Sequence, residues 1–204
     1  MLAEFGVVFT VGLSSPCVGQ ILAIQSVWFK LQVHQLRECF NLSSFQLGEH
    51  PDRVFNVGGV GIENIKRLKL LSKNELENLI SFKLNKKNLL ITFHPVTLEN
   101  NTSQEQFQEL LDAINELDDT NIIFTKTNSD LNGKVINKMI DEYTSENPKK
   151  SVGFISLGQL RYLSALQYVD AVVGNSSSGL LEAPSFKIGT INIGDRQKGR
   201  IKAS

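Results

Sequence analysis

Asn88-Leu89-Leu90-Ile91-Thr92-Phe93, followed at once by His94-Pro95, is the stretch on which the fold turns. Its apolar run does not alternate with polar residues, as a strand with one wet face would. It predicts a strand buried on both faces, the condition of a parallel sheet between layers of helix, and His94-Pro95 ends it. Downstream, Thr102 or Ser103 can cap a helix on which Phe107, Leu110, Leu111, Ile114 and Leu117 share one face. Residues 121–125 read as the next strand, and Leu131, Val135, Ile136, Met139, Ile140 and Tyr143 stripe another helix. The alternation continues as strand 151–155, helix 157–168, strand 171–173, short helix 178–186 and strand 188–193. Upstream, Ser72-x-x-Glu75 is a capping box opening a helix over 75–81, preceded by helical spacing through Ile62, Ile65, Leu68 and Leu71. Before that, 53–57 is a short β-type run closed by Gly58-Gly59. Strands alternating with helices at this spacing mean an α/β domain with a doubly wound, Rossmann-like parallel sheet, whose ligands sit at the carboxyl ends of its strands.

The bulk properties narrow the partners. With 21 basic and 21 acidic residues in 204, no strongly charged partner is indicated, and nucleic acid is disfavoured. Cys17 and Cys39 form no metal spacing and no disulfide framework, which fits a reduced, cytoplasmic setting. No charged residue occurs from Phe5 to Phe29, yet Ser14, Ser15, Pro16, Gln20, Gln25 and Ser26 interrupt the run, and Glu4 stands where a signal peptide has its positive flank. No membrane span is expected. Residues 1–45 show no clear pattern beyond helical spacing around 24–39 and read as an unmatched apolar leader to a domain over 46–204.

The polar clusters all follow predicted strands: Gly58-Gly59, His94, Asn128 with Asp130, Ser156, the Asn175-Ser176-Ser177-Ser178 turn and Gly194-Asp195-Arg196. One rim of the sheet therefore gathers them. Ser176, Ser177, Ser178 and Gly179 open a helix, where free N–H groups favour an anion such as phosphate. Glu182 lies about a turn further on and can accept hydrogen bonds from a ribose diol, and Arg196 can make bidentate contacts to phosphate. His94 can exchange a proton or stabilise a leaving phosphate. Each has a plainer use: serines and glycines cap helices, a histidine can be bonded within its own turn, and Asn128 and Asp130 are ordinary turn formers. There is no phosphate-loop lysine motif, no Gly-x-Gly-x-x-Gly after a first strand and no metal-ligand cluster, so P-loop NTPase and nicotinamide dehydrogenase readings lose support.

Four segments carry a more specific likeness: Gly48-Glu49-His50-Pro51-Asp52-Arg53-Val54-Phe55, Thr92-Phe93-His94-Pro95-Val96-Thr97, Gly174-Asn175-Ser176-Ser177-Ser178-Gly179 with Glu182, and Asn192-Ile193-Gly194-Asp195-Arg196-Gln197-Lys198-Gly199-Arg200. In order and spacing, residues 46–204 resemble the carboxyl-terminal domain of the hydrolysing UDP-N-acetylglucosamine 2-epimerases of bacterial sialic acid and capsule biosynthesis. The resemblance implies one lobe of a GT-B fold, with UDP bound by Ser176, Ser177 and Arg196, its ribose by Glu182, His94 at the leaving group and Asn128 near the nucleotide. It implies elimination of UDP across C1 and C2 of UDP-N-acetylglucosamine and hydration to N-acetylmannosamine, no metal or other cofactor, and homodimers of the full-length enzyme. In that family the carboxyl groups that move the C2 proton belong to the amino-terminal domain, whereas residues 1–45 offer only Glu4 and Glu38. The expectation is a fragment, truncated at its carboxyl end, that is inactive alone. The alternatives are a non-catalytic UDP-binding remnant and the lobe of a GT-B glycosyltransferase.

Overall fold

Among the described residues, six short segments rich in β-branched and large apolar residues pair into a single all-parallel sheet. The computed structural model of the chain describes residues 8–11, 50, 65, 67–96, 102–127 and 131–200. The strands are β1 (Val8–Val11), β2 (Lys87–Thr92), β3 (Thr120–Thr125), β4 (Ser151–Phe154), β5 (Ala171–Gly174) and β6 (Gly189–Ile193). They lie in the order β1-β6-β5-β2-β3-β4. The helices are α1 (Lys73–Ile80), α2 (Ser103–Asn115), α3 (Leu131–Glu146), α4 (Gly158–Ala165) and α5 (Ser178–Leu181), with a 3-10 turn at Ala183–Phe186.

From β2 the chain winds outward through β3 and β4, then returns to the other side of β2 for β5 and β6. This reversal separates the helices into two layers. On one face α2 and α3 cover Leu89, Ile91, Phe93, Ile122, Phe124 and Val173, with Phe107, Leu110, Ile114, Ile136 and Ile140 supplying the helical side. On the other face α1, α4 and the 3-10 turn cover Leu90, Ile123 and Val172 with Leu76, Ile80, Leu163, Leu166 and Ala183. Alternate residues of β2 thus feed opposite cores, which is why its sequence shows no polar alternation. Phe93, Phe107, Phe124 and Tyr143 form a chain of tilted and edge-on rings with centroids 5.5, 6.3 and 5.7 Å apart.

The crevice outside β2 and β5 is the switch point of the winding, where open α/β sheets accept ligands.

The structure departs from the sequence reading in four places. Val8–Val11, within the stretch read as an unpatterned leader, pairs in parallel with β6 from Val8↔Thr190 to Val11↔Ile193. Four residues of high strand propensity suffice there because an edge strand needs only one partner. The expected helix over 157–168 is the shorter α4. The expected helix over 178–186 divides at Glu182, because Pro184 has no N–H to donate and its ring crowds the preceding turn. Thr102 takes the N-cap position of α2 without a capping side-chain bond, whereas the Ser72–Glu75 capping box is present at α1. The expected strand over 53–57 and Gly58-Gly59 lie outside the described residues. Among the described residues no helix is long and apolar enough to cross a membrane.

Candidate functional site

The last rung between the two switch-point strands pairs Thr92 with Gly174. Gly174 has φ +132°, and a Cβ there would stand 1.9 Å from the Thr92 carbonyl oxygen. Only glycine lets the two backbones approach so closely. The ladder then continues through one more main-chain bond and a side chain. Asn175, 1% exposed, donates its N–H to Thr92 O at 3.1 Å. Its Oδ1 accepts from the His94 N–H at 2.7 Å, and its Nδ2 donates to the His94 carbonyl at 2.7 Å.

The His94 ring is held from the segment after β3, where Nδ1 lies 2.9 Å from the hydroxyl of Thr127. Thr127 is itself fixed by a second asparagine, its N–H donating to Asn137 Oδ1 and its carbonyl accepting from Asn137 Nδ2, both at 3.0 Å. Beyond β6, Gly194 with φ +67° turns the chain back toward the crevice. There Arg196 Nη1 and Gln197 Nε2 both donate to the Asn175 carbonyl, at 3.0 and 2.7 Å. The segments leaving β2, β5 and β6 therefore meet at Asn175.

On the α4 side of this junction opens a cleft of about 400 Å³, lined in part by Thr125, Ser156, Tyr162, Ser176, Ser178 and Glu182. Ser176 Oγ accepts from the Ser178 N–H at 3.3 Å, and Ser178 Oγ shares a 2.5 Å hydrogen bond with the Tyr162 hydroxyl. Among the described residues the N–H groups of Ser176 and Ser177 have no main-chain partner. Because α5 has only four residues, any field here comes from these local N–H groups rather than from the dipole of a long helix.

Burial, aided by the nearby Glu182 and opposed by the Ser178 bond, pushes the Tyr162 phenol up to about 12. The folded chain therefore holds that proton more tightly than the unfolded chain, whose phenol ionises near 10. The stability this contributes is complete below the unfolded value and is lost as pH climbs toward about 12. Urea midpoints of the natural chain and Tyr162→Phe, followed across that range, should converge or cross as pH rises. A difference that stays constant would show that the phenol is not protected.

His94, Ser176, Ser178, Glu182 and Arg196 thus all lie at the switch point. Glu182 lines the cleft, and Arg196, bonded to the Asn175 carbonyl, does not. Ser177 is half-buried and does not line the cleft. Gly179 is buried against β6: its carbonyl accepts from Thr190 Oγ1 at 2.7 Å, and a Cβ on it would come within 2.6 Å of Thr190 Cγ2. Asn128 and Asp130 lie outside the described residues. Among the described residues no three His, Cys, Asp or Glu side chains are grouped to hold a metal ion. Sequence reasoning missed Tyr162, Thr127 and Asn137, and read Asn175 and Gln197 only as members of longer motifs. An asparagine next to the last strand residue, flanked by small residues, is the one signal that could have exposed the clamp.

A doubly wound sheet with this polar rim at its switch point defines a Rossmann-like α/β lobe. Residues 41–204 match the UDP-N-acetylglucosamine 2-epimerase family. The chain belongs to that family. It is 42% identical over 165 residues to the GDP/UDP-N,N'-diacetylbacillosamine 2-epimerase (hydrolyzing) of Campylobacter jejuni, covering 81% of this chain and 43% of that protein. It is 41% identical over 160 residues to the polysialic acid biosynthesis protein P7 of Escherichia coli, covering 78% of this chain and 40% of that one. Among solved structures, the S. aureus MnaA–UDP co-structure superposes with a TM-score of 0.54 at 16% identity, over 76% of this chain and 40% of that one. The fold is one lobe of the GT-B architecture. The chain spans about two fifths of the length of these curated relatives.

Proposed function

We propose that this lobe holds the UDP end of a UDP-N-acetylhexosamine for a hydrolysing 2-epimerase, with UDP-N-acetylglucosamine as substrate and N-acetylmannosamine and UDP as products. The observation that carries the reading is the meeting of three rim segments at Asn175, which sets the His94 imidazole, the open N–H groups of Ser176 and Ser177 and the Arg196 guanidinium around one point. A diphosphate there is met by main-chain donors and by the guanidinium N–H groups not bonded to Asn175. The nucleoside extends into the cleft along Tyr162, with its ribose diol donating to Glu182. In the elimination, a base from outside this set of groups takes the C2 proton as the C1–O bond to UDP breaks with His94 stabilising the departing phosphate, and water then adds across the resulting double bond, its hydroxyl to C1 and a proton back to C2.

Among the described residues Glu182 is the one carboxylate lining the cleft, and in this reading it serves the ribose. In this reading the base for the C2 proton belongs to another part of the enzyme, and the lobe alone binds without turning over.

Isothermal titration of the 204-residue chain should show saturable binding of UDP and none of AMP. UDP-N-acetylglucosamine and its diacetylbacillosamine counterpart, incubated with the same preparation, should release no free sugar. Absence of UDP binding at millimolar concentration would end the nucleotide reading. Release of N-acetylmannosamine would end the half-site reading.

A further inference from the structure

We infer that Asn175 is the positioning residue of this site: its amide substitutes for the next rung of the β2–β5 ladder and fixes the main chain of His94 against the arginine-bearing loop after β6. The inference rests on the proposed reading for what His94 does, but not for the clamp itself.

Past Thr92 and Gly174 one main-chain bond remains, from the Asn175 N–H to the Thr92 carbonyl, and among the described residues none joins the main chain of His94 to β5. At that point Asn175 presents an acceptor and a donor to the N–H and carbonyl of His94, both at 2.7 Å, as a neighbouring strand residue would. At 1% exposure its amide has no competing water. The other end of Asn175 is fixed as firmly, because two side chains donate to its carbonyl. One of them, Gln197, is 2% exposed and leaves its own Oε1 buried without a donor. Such an orphaned acceptor is tolerated because the amide is oriented by its Nε2 bond to Asn175 rather than by satisfaction of its own oxygen. Displacing Asn175 would therefore move His94 with it, and a group bound to Arg196 would bear on the histidine through a single carbonyl.

Residue-specific amide exchange by NMR on the full 204-residue chain tests this. In Asn175→Ala the His94 amide should exchange at least tenfold faster, and its ring signal should move, while Ile122 and Phe124 amides and the His50 ring stay within about twofold of the natural chain. Gln197→Leu, which keeps the buried volume and removes one donor, should show the same local pattern at smaller amplitude. His94 exchange unchanged in Asn175→Ala overturns the assignment. So does acceleration spread equally through β3, which would mark Asn175 as merely stabilising. If Asn175→Ala does not fold, Gln197→Leu decides by the same two criteria. UDP titrated in parallel separates the claims. Failure of the natural chain to bind UDP removes the nucleotide reading and leaves the exchange result standing. Binding of UDP with His94 indifferent to both substitutions removes the clamp alone.

Discussion

Gly174→Ala should leave little folded protein. The new methyl would meet the Thr92 carbonyl oxygen at 1.9 Å and its carbon at 2.7 Å, both backbone atoms of the central strand that cannot swing aside. Relief requires β5 to move off β2, which breaks the last rung and the Asn175 bonds beyond it. The φ of +132° adds strain of its own, since a residue with a side chain rarely adopts it. Together these place the loss at roughly 4–5 kcal/mol or more, a large share of the 5–15 kcal/mol that holds a domain together. Gly158→Ala is the control: φ is +65°, but nothing stands within 4 Å of the new Cβ, so only about 1 kcal/mol should be lost. Urea unfolding followed by circular dichroism measures both. If the two variants prove equally stable, the approach of β5 to β2 is looser than described.

Arg196→Ala should weaken UDP binding by roughly 1.5–3 kcal/mol, about ten- to a hundredfold, the scale of a hydrogen bond to a charged group. Arg196 is exposed and among the described residues makes one side-chain bond, to a carbonyl that Gln197 also serves, so the unfolding midpoint should hardly move. Arg196→Lys should recover only part of the affinity. One guanidinium nitrogen is committed to Asn175, and the fork that remains for a phosphate has no counterpart in a single ammonium. Titration calorimetry with UDP reads all three proteins. Equal affinities would place the phosphate elsewhere.

Much of the fold was legible in the chain because the sheet is buried on both sides. The unbroken run through Leu89, Leu90 and Ile91 and the stripes on α2 and α3 predict the alternating elements close to where they lie. What escaped was set by tertiary context. The strand at Val8–Val11 depends on the free edge of β6, 180 residues away in sequence, and no local pattern reports such an edge. Pro184 was visible, but where it would divide the helix was not. At the site, residue types at strand ends pointed to His94, Ser176, Glu182 and Arg196, since topology alone gathers those positions. Tyr162 comes from the middle of α4, and Thr127 and Asn137 act through bonds across the fold, so their contribution is a matter of distance rather than of motif.

The low acidity of Tyr162 has a further consequence, because a phenol that stays neutral adds no charge to the cleft around Glu182. Lys126, among the described residues the one cation on its wall, is engaged with Asp141. The recess thus carries the Glu182 carboxylate, while the Arg196 guanidinium is bonded at the Asn175 junction and stands outside its lining. A guest with an anion at one tip and vicinal hydroxyls at the other meets this asymmetry as a polarity. Under the proposed function it docks head-first, and that polarity sets the direction of its third part, the sugar, before the sugar touches anything.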